Sequence, residues 1–136
     1  MMKELEKFKE IFEGLDCAYG ITKKSAQFTE KGKNKTESFT IHKPPITQLW
    51  NDHLIGKDPA LAIIPINKDN KCKWGCIDID IYPFDHKKFI QKLNNKKIPA
   101  IVFRSKSGGA HCFLFTKELI PAIIMRAKLK IDRKSV

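Results

Sequence analysis

The stretch CIDIDIY, residues 76–82, decides the fold, because it places two acids in the most apolar strand-like run of a basic chain. Side chains alternate between the two faces of a strand, so Asp78 and Asp80 should share one face. Their Cα atoms should lie about 6–7 Å apart, from a rise of about 3.3 Å per residue. Ionised carboxylates at that spacing repel each other unless a cation lies between them, and Mg²⁺ or Mn²⁺ prefers such oxygen ligands. The intervening isoleucines should face covering helices: Ile77, Ile79 and Ile81.

A second motif, RSKSGGAHCFLF at residues 104–115, is predicted to join two strands through a turn. Its glycines permit positive φ or a close approach of the backbone, and its exposed N–H groups and serine hydroxyls can hold phosphate oxygens. Its basic side chains add charge, and its histidine can donate to a phosphate or assist proton transfer. The predicted phosphate-binding residues are Arg104, Ser105, Lys106, Ser107, Gly108, Gly109 and His111.

Each feature alone also has a structural explanation. The acids can belong to a polar strand face on which each aspartate pairs with a lysine. The glycines can form an ordinary hairpin turn, and a single histidine at a strand start is often just hydrogen-bonded. We favour the functional interpretation because paired acids, a Ser/Gly turn and a histidine all converge on one open face.

The element order predicts an α+β fold whose second half, residues 71–136, is an incomplete RRM-like unit. Periodicity indicates, in order, a strand at 74–82, a helix at 86–95 capped by Asp85, strands at 99–104 and 110–115, and a helix at 117–130. This β-α-β-β-α order is a split βαβ fold whose last strand is missing. In that topology the first and third strands are antiparallel neighbours, which places His111 near Asp80. The last helix is expected to turn Leu119, Ile123, Ile124 and Leu129 inward.

Residues 1–70 are predicted to form an N-terminal α/β unit of the same domain. Its predicted elements are an amphipathic helix at 3–15, a polar loop or exposed hairpin at 22–38, a short helix between a Thr47 cap and Gly56, and a buried strand at 60–66. The 22–38 stretch is rich in lysine, so an arm lying over a nucleic-acid backbone is the alternative to a plain solvated loop.

Composition narrows the classes of partner. The chain has 136 residues, with 26 Lys and Arg against 15 Asp and Glu, a formal charge of +11. That excess favours nucleic acid or nucleotide phosphates as partners, with a merely solvated basic surface as the alternative. No apolar run approaches the roughly 18 residues of a membrane span, so we expect a cytoplasmic protein with no membrane partner. The four cysteines include a C-x3-C pair without a second pair, and we expect reduced thiols, not zinc ligands.

Together the two motifs resemble those of the archaeo-eukaryotic primases, or primase-polymerases. The hallmark of that superfamily is an apolar strand bearing D-h-D or D-h-E, a Ser/Gly-rich turn ending in His, and a third acid on a later strand. CIDID and SKSGGAHCFLF match the first two signatures. The upstream run TIHKPPITQLWNDHLIG, residues 40–56, is similar to one in the primase domain of TOTE conflict systems and related phage primase-polymerases, apart from a second proline at Pro45.

The resemblance implies a primase-polymerase catalytic core that makes or extends primers from NTPs or dNTPs by metal-dependent, template-directed nucleotidyl transfer. It implies that Asp78 and Asp80 ligate two Mg²⁺ or Mn²⁺ ions, and that Ser107 and His111 contact the phosphates of the incoming nucleotide. Its implied partners are a single-stranded DNA template, a primer and nucleoside triphosphates. It also implies a helicase or other domain in the full-length chain, in a bacterial or phage-infected cell.

The third acid of the superfamily has no match in this sequence. Glu118 and Asp132 are the only acids after His111, and neither lies on the strand that is missing. We therefore expect a fragment of a longer protein, with poor activity alone and its third metal ligand beyond the last residue. One alternative is a non-catalytic RRM-like module in which Phe113 and Phe115 stack bases of single-stranded nucleic acid, which leaves the acid pair unexplained. The other is a metal-dependent nuclease, which lacks its usual acid-x-Lys motif here.

Overall fold

The structure, a computed structural model, describes residues 2–135 and has an α+β fold. Over these residues it contains four helices and two three-stranded antiparallel sheets. The elements are α1 (Met2–Ile11), β1 (Tyr19–Phe28), β2 (Asn34–Ile41), α2 (Thr47–Leu54), β3 (Ala60–Ala62), β4 (Lys71–Ile79), α3 (His86–Asn95), β5 (Ile101–Arg104), β6 (Ala110–Pro121) and α4 (Ala122–Ser135). None of the described helices is both long and apolar enough to cross a membrane. The chain divides into two compact units between Asp69 and Asn70.

The first unit packs two helices on a sheet with the strand order β2-β1-β3. Its core is built on three buried side chains, Tyr19, Trp50 and Leu61. The predicted amphipathic helix supplies Phe8, whose ring meets Trp50 edge-on with centroids 5.8 Å apart. The other side chains packed on this core are Leu5, Phe12, Ile21, Ile41, Leu49 and Ile63. Burial of this apolar face, at about 25 cal/mol per Å², orders helices that would be marginal in isolation.

The lysine-rich stretch predicted as a loop or an exposed hairpin is a hairpin. Strands β1 and β2 pair from Tyr19 opposite Ile41 outward, with an irregularity before Phe28. Gly32 closes the turn with a φ of +77°, a conformation that glycine adopts without steric cost. The Thr29 N–H donates to the Lys33 carbonyl at 2.7 Å across the same turn.

The second unit places two helices on one face of a sheet with the order β4-β6-β5. The first and third predicted strands are antiparallel neighbours, as expected, with β6 central. Two buried clusters fill the space under the helices: Cys72, Leu114 and Met125, and Leu93, Ile98 and Cys112. Because Cys112 and Leu114 alternate with His111 and Phe113 along β6, the opposite face of the sheet carries the histidine.

Helix α3 forms as predicted, because its signals are local. It spans His86–Asn95, and the Asp85 carboxylate accepts a hydrogen bond from the Lys88 N–H at 3.0 Å. That bond satisfies one of the free N–H groups at the helix start. Leu93 is 3% exposed and anchors the helix on the sheet.

The prediction for the last strand and helix is wrong. Strand β6 continues to Pro121, because Ile120 pairs with Cys72 after an irregularity in the β4 ladder. At that irregularity the Thr116 hydroxyl lies 3.1 Å from the Lys73 carbonyl, to which it donates. Helix α4 therefore starts at Ala122 instead of residue 117.

The buried face of α4 carries Met125 and Leu129, not the isoleucines predicted to point inward. Ile123 is 76% exposed and Ile124 is 56% exposed. Other local predictions also fail: the 60–66 strand is limited to Ala60–Ala62, and Ile46, not Thr47, is the cap residue of α2. Pro65 supplies no N–H for a longer strand ladder.

The observed face of α4 makes a stability prediction. Met125→Ala should lower the free energy of unfolding by about 2–5 kcal/mol, because it removes a buried side chain and leaves a cavity. The matched change Ile123→Ala, on the exposed side of the same helix turn, should cost under about 0.5 kcal/mol. Urea unfolding followed by circular dichroism measures both, and equal losses would contradict the assigned face.

Candidate active site

The open face of the second unit brings Asp78 and His111 together. The two residues are directly paired across β4 and β6. His111 Nε2 lies 3.4 Å from Asp78 Oδ1, and the side chains are 46% and 61% exposed. A pair this exposed contributes little to stability.

The predicted neighbour of His111 was Asp80, and that prediction is wrong in its detail. The register pairs Ile79 with Ala110 as the last pair of the ladder, so His111 faces Asp78. Asp80 lies just past the end of β4, where the strand has left the ladder. Ile81, which was expected to point into the core, is 62% exposed for the same reason.

Asp80 is instead linked to the Ser/Gly turn through Tyr82. The Tyr82 hydroxyl donates to Asp80 Oδ1 at 3.1 Å and lies 2.8 Å from Ser107 Oγ. A carboxylate only accepts, so the Tyr82 proton goes to Asp80 and the Ser107 hydroxyl donates to the Tyr82 oxygen. This chain of two hydrogen bonds joins the second acid to the predicted phosphate-binding turn.

The turn at residues 105–109 is held by two backbone hydrogen bonds. The Ser105 N–H donates to the Gly109 carbonyl at 3.1 Å, and the Gly108 N–H donates to the Ser105 carbonyl at 3.1 Å. Gly108 has a φ of +95°, which disfavours any side chain there. Gly109 is needed for a different reason, because a Cβ on it would overlap the Ile79 carbonyl oxygen. The turn therefore rests directly on the end of the acid-bearing strand.

His86 ties the turn to helix α3. A carbonyl only accepts, so the His86 Nε2–H donates to the Gly109 oxygen, at 2.8 Å. The Phe84 ring meets the imidazole edge-on, with centroids 4.8 Å apart. Asp85 caps the same helix, so it is the start of α3 that is attached to the turn. His111 follows two residues after Gly109, the last residue of this turn.

The remaining turn residues are placed less directly at the acids. Ser105 Oγ lies 3.5 Å from Ser107 Oγ, and Lys106 is exposed. Arg104 is paired with Ala110 at the end of β5, where alternation puts it on the side of Val102, opposite to Phe103. The structure therefore joins Ser107 to Asp80 through Tyr82, and it turns Arg104 toward the other side of the strand.

Neither aspartate forms an ion pair with a lysine or an arginine among residues 2–135. The alternative in which each acid pairs with a lysine is therefore wrong. Two exposed carboxylates without a fixed cationic partner are hard oxygen ligands of the kind that Mg²⁺ or Mn²⁺ prefers. No group of three or more His, Cys, Asp or Glu residues within the described part of the chain gathers as a ready metal cage.

The later acids do not complete this pair. Asp132 is 4% exposed and accepts a hydrogen bond from Lys128 Nζ at 2.8 Å. Its charge raises the pKa of the Cys112 thiol, second to burial, which places it on the helix-covered side of the sheet. Glu118 lies within β6, not at a helix start as predicted.

Cys76 adds a thiol to the strand that carries Asp78. It lies two residues before Asp78 on the same strand, partly exposed but with its sulfur desolvated. Desolvation raises the pKa of the Cys76 thiol to about 11, and the charge of Asp78 adds to the shift. In the absence of a metal ion, both effects favour the protonated thiol over the thiolate.

Aromatic rings extend the open face away from the acids. The Phe113 ring lies 6.3 Å from the His111 ring and 5.1 Å from the Phe103 ring, measured between centroids. Phe115 stacks on Phe113 at 5.8 Å. The histidine thus stands between a carboxylate and an apolar aromatic cluster, which limits its ring to one side of the site.

Sequence analysis missed Tyr82 and His86. Tyr82 continues the alternation of Asp78 and Asp80, which is a weak signal that it lies on their side. His86 follows the predicted cap Asp85 and carries no comparable signal. Both act on a turn more than 20 residues later in the chain, so their roles depend on tertiary structure.

Comparison with known proteins gives one finding. The family model described as "TOTE conflict system, Archaeo-Eukaryotic Primase domain" matches residues 6–131, which is nearly the whole chain. A search of curated proteins found no significant match. The matched range includes both acids, the Ser/Gly turn and the histidine.

The contact of Gly109 with β4 makes a prediction that does not depend on activity. Gly109→Ala should lower the free energy of unfolding by about 1–3 kcal/mol, because a methyl group would push the turn off the Ile79 carbonyl. Ser107→Ala, in the exposed part of the same turn, should cost under about 1 kcal/mol. Chemical denaturation compares the two variants, and an unaffected Gly109→Ala would rule out the close approach.

Proposed function

The chain belongs to the archaeo-eukaryotic primase domain family of TOTE conflict systems, and on that basis we propose that it catalyses metal-dependent, template-directed nucleotidyl transfer. The observation that carries the proposal is that two exposed acids without a lysine or arginine partner are joined to a histidine and a Ser/Gly turn: Asp78 lies against His111, and Tyr82 links Asp80 to Ser107. The reaction is attack of a primer 3′-hydroxyl, or of the 3′-hydroxyl of a first nucleotide in priming, on the α-phosphorus of a nucleoside triphosphate. The bond between the α- and β-phosphates breaks, and pyrophosphate leaves. The proposed partners are single-stranded DNA template, primer and NTPs or dNTPs.

Asp78 and Asp80 would hold the divalent ions, since they are hard oxygen ligands without a cationic partner. Mg²⁺ or Mn²⁺, when bound, lowers the pKa of the attacking hydroxyl and neutralises charge on the triphosphate. Tyr82 keeps Asp80 oriented toward the turn, because its hydroxyl occupies one of the carboxylate oxygens. The other carboxylate oxygens, Oδ2 of each acid, take part in no hydrogen bond or ion pair found among residues 2–135, so they would be open to a metal ion.

The turn supplies donors for the phosphates. The backbone N–H groups of Lys106 and Ser107 take part in no hydrogen bond found among residues 2–135. They lie in a turn whose shape is already fixed by Gly108 and Gly109, so binding costs little reorganisation. His111 can donate a further hydrogen bond to a phosphate, or hold a proton next to Asp78.

The alternatives find less support. A purely RRM-like binding module does not explain two exposed acids without a lysine or arginine partner, because such carboxylates repel phosphate. A nuclease and a polymerase use similar metal ions, so the two are separated by whether a labelled primer becomes longer or shorter. Lengthening of the primer with Mn²⁺ and dNTPs supports the proposal, and shortening without added nucleotide supports a nuclease.

The acid pair makes the first functional prediction. Asp78→Asn and Asp80→Asn should each weaken Mn²⁺-dependent binding of a fluorescent nucleoside triphosphate by at least about tenfold, since each removes an ionic ligand that contributes more than about 1.4 kcal/mol. Fluorescence polarisation with and without Mn²⁺ measures this. Cys76→Ser, on the same strand face, should leave the metal dependence unchanged. If the unaltered chain binds the nucleoside triphosphate equally well with and without Mn²⁺, the proposal is contradicted.

The Tyr82 bridge makes a second functional prediction. Tyr82→Phe should reduce the same Mn²⁺-dependent binding about tenfold or more, because a hydrogen bond to a charged carboxylate contributes about 1.5–3 kcal/mol. Ser107→Ala should act through the same chain, so the double variant should lose less than the sum of the two. A double-mutant cycle tests this, and full additivity would show that Tyr82 and Ser107 act separately.

A further inference from the structure

The β1–β2 hairpin carries features that the acid site does not use. Beyond Ile21 and Ile41 its strands leave the core of the first unit, and every residue from 26 to 40 is exposed. Twelve or more exposed residues held in a regular antiparallel ladder bury little apolar surface of their own. Such an arm contributes little to the stability of the fold, and its exposed side chains are open to a partner.

The arm is positively charged and its charges are not neutralised. Residues 22–40 contain five lysines and two glutamates, a net charge of +3: Lys23, Lys24, Lys31, Lys33, Lys35, Glu30 and Glu37. None of these lysines takes part in the ion pairs found among residues 2–135. Ammonium groups that are solvated and unpaired can exchange counterions for the phosphates of a polyanion.

One face of the arm is lined with hydroxyl groups. Thr22 pairs with Ser38 across the ladder, and their side-chain oxygens lie 3.0 Å apart. Thr36 and Thr40 stand on the same face of β2 by alternation, and Lys24 pairs with Thr36. Serine and threonine hydroxyls next to lysine are common contacts to phosphate oxygens, which fix the register of a backbone without reading sequence.

An exposed aromatic ring stands at the far end of the arm. Phe28 is 62% exposed and pairs with Asn34 next to the turn. A phenylalanine this exposed offers a stacking surface, and base–aromatic stacking is open to any unpaired base. A duplex hides the faces of its bases, so the combination of lysines, hydroxyls and a ring selects single strands over duplex.

We propose that the β1–β2 hairpin is a binding arm for single-stranded nucleic acid, in which the lysines and hydroxyls hold the backbone and Phe28 stacks on a base. The inference rests on the proposed function, since it states where the strand used by that reaction is held. It does not require metal, because no acid of the site is part of the arm.

The central experiment measures binding of a fluorescent 20-nucleotide oligothymidylate in EDTA, as a function of salt. The triple variant Lys31→Gln, Lys33→Gln, Lys35→Gln should bind at least about tenfold more weakly. Its plot of log K against log salt concentration should also be flatter by about 2, because each of the three lost phosphate contacts on a single strand contributes about 0.7 to the slope. The matched control, Lys130→Gln, Arg133→Gln, Lys134→Gln on α4, removes the same charge and should change affinity less than threefold. Equal losses in both variants, or no loss in either, overturn the inference.

A second variant tests the ring. Phe28→Leu keeps an apolar side chain but removes stacking, and should weaken binding about fivefold or more while leaving the salt slope unchanged. Duplex DNA and heparin serve as competitors of similar charge. Preference for either of them over the oligonucleotide overturns the inference, and oligouridylate in place of oligothymidylate distinguishes RNA from DNA. Thermal unfolding of each variant confirms that the exposed substitutions leave the fold intact.

The Asp78→Asn variant separates the two proposals. In EDTA it should bind the oligonucleotide as the unaltered chain does. If Asp78→Asn loses Mn²⁺-dependent nucleotide binding but still binds the oligonucleotide normally, the result supports the role of the acid site and leaves the arm inference unaffected. Normal strand binding by the Lys→Gln arm variant defeats the arm inference and leaves the proposed reaction standing.

Discussion

The pairing of β4 with β6 is the constraint on which the site depends. Its register sets Asp78 opposite His111 and ends at Ile79 opposite Ala110. Antiparallel ladders hold paired side chains within about 5 Å, so a shift by one residue would turn the histidine to the helix-covered face. Buried Cys112 and Leu114 prevent that shift, because it would expose them. The apolar face of the sheet thus sets the geometry of its polar face.

The end of the ladder is as important as the ladder itself. Asp80 has left β4, and the Ser/Gly turn comes down onto the same strand end because Gly109 carries no side chain. Tyr82 and His86 then fasten the turn from two sides, one to the acid and one to helix α3. The site is made of short exposed segments, and these hydrogen bonds between residues far apart in the sequence hold them in place. Supporting residues around a metal or an active site orient its ligands in the same way.

Local signals in the sequence were reliable where local physics decides the outcome. The Asp85 cap, the amphipathic face of α1 and the positive φ of Gly108 follow from groups within a few residues of one another. The start of α4 failed because Ile120 gains a strand partner in Cys72, almost fifty residues earlier. Helical periodicity in residues 117–121 carries no information about a competing strand pairing that forms only in the folded chain.

The sequence by itself determined the α+β class and the likeness to a primase that the family match bears out. Those properties follow from the two-residue period of a strand and from motifs that are contiguous in the chain. Only the tertiary structure decided which acid meets His111 and that Tyr82 connects Asp80 to Ser107. Those contacts depend on strand register and on the path of the chain after β4, and both are set by packing among residues far apart in sequence.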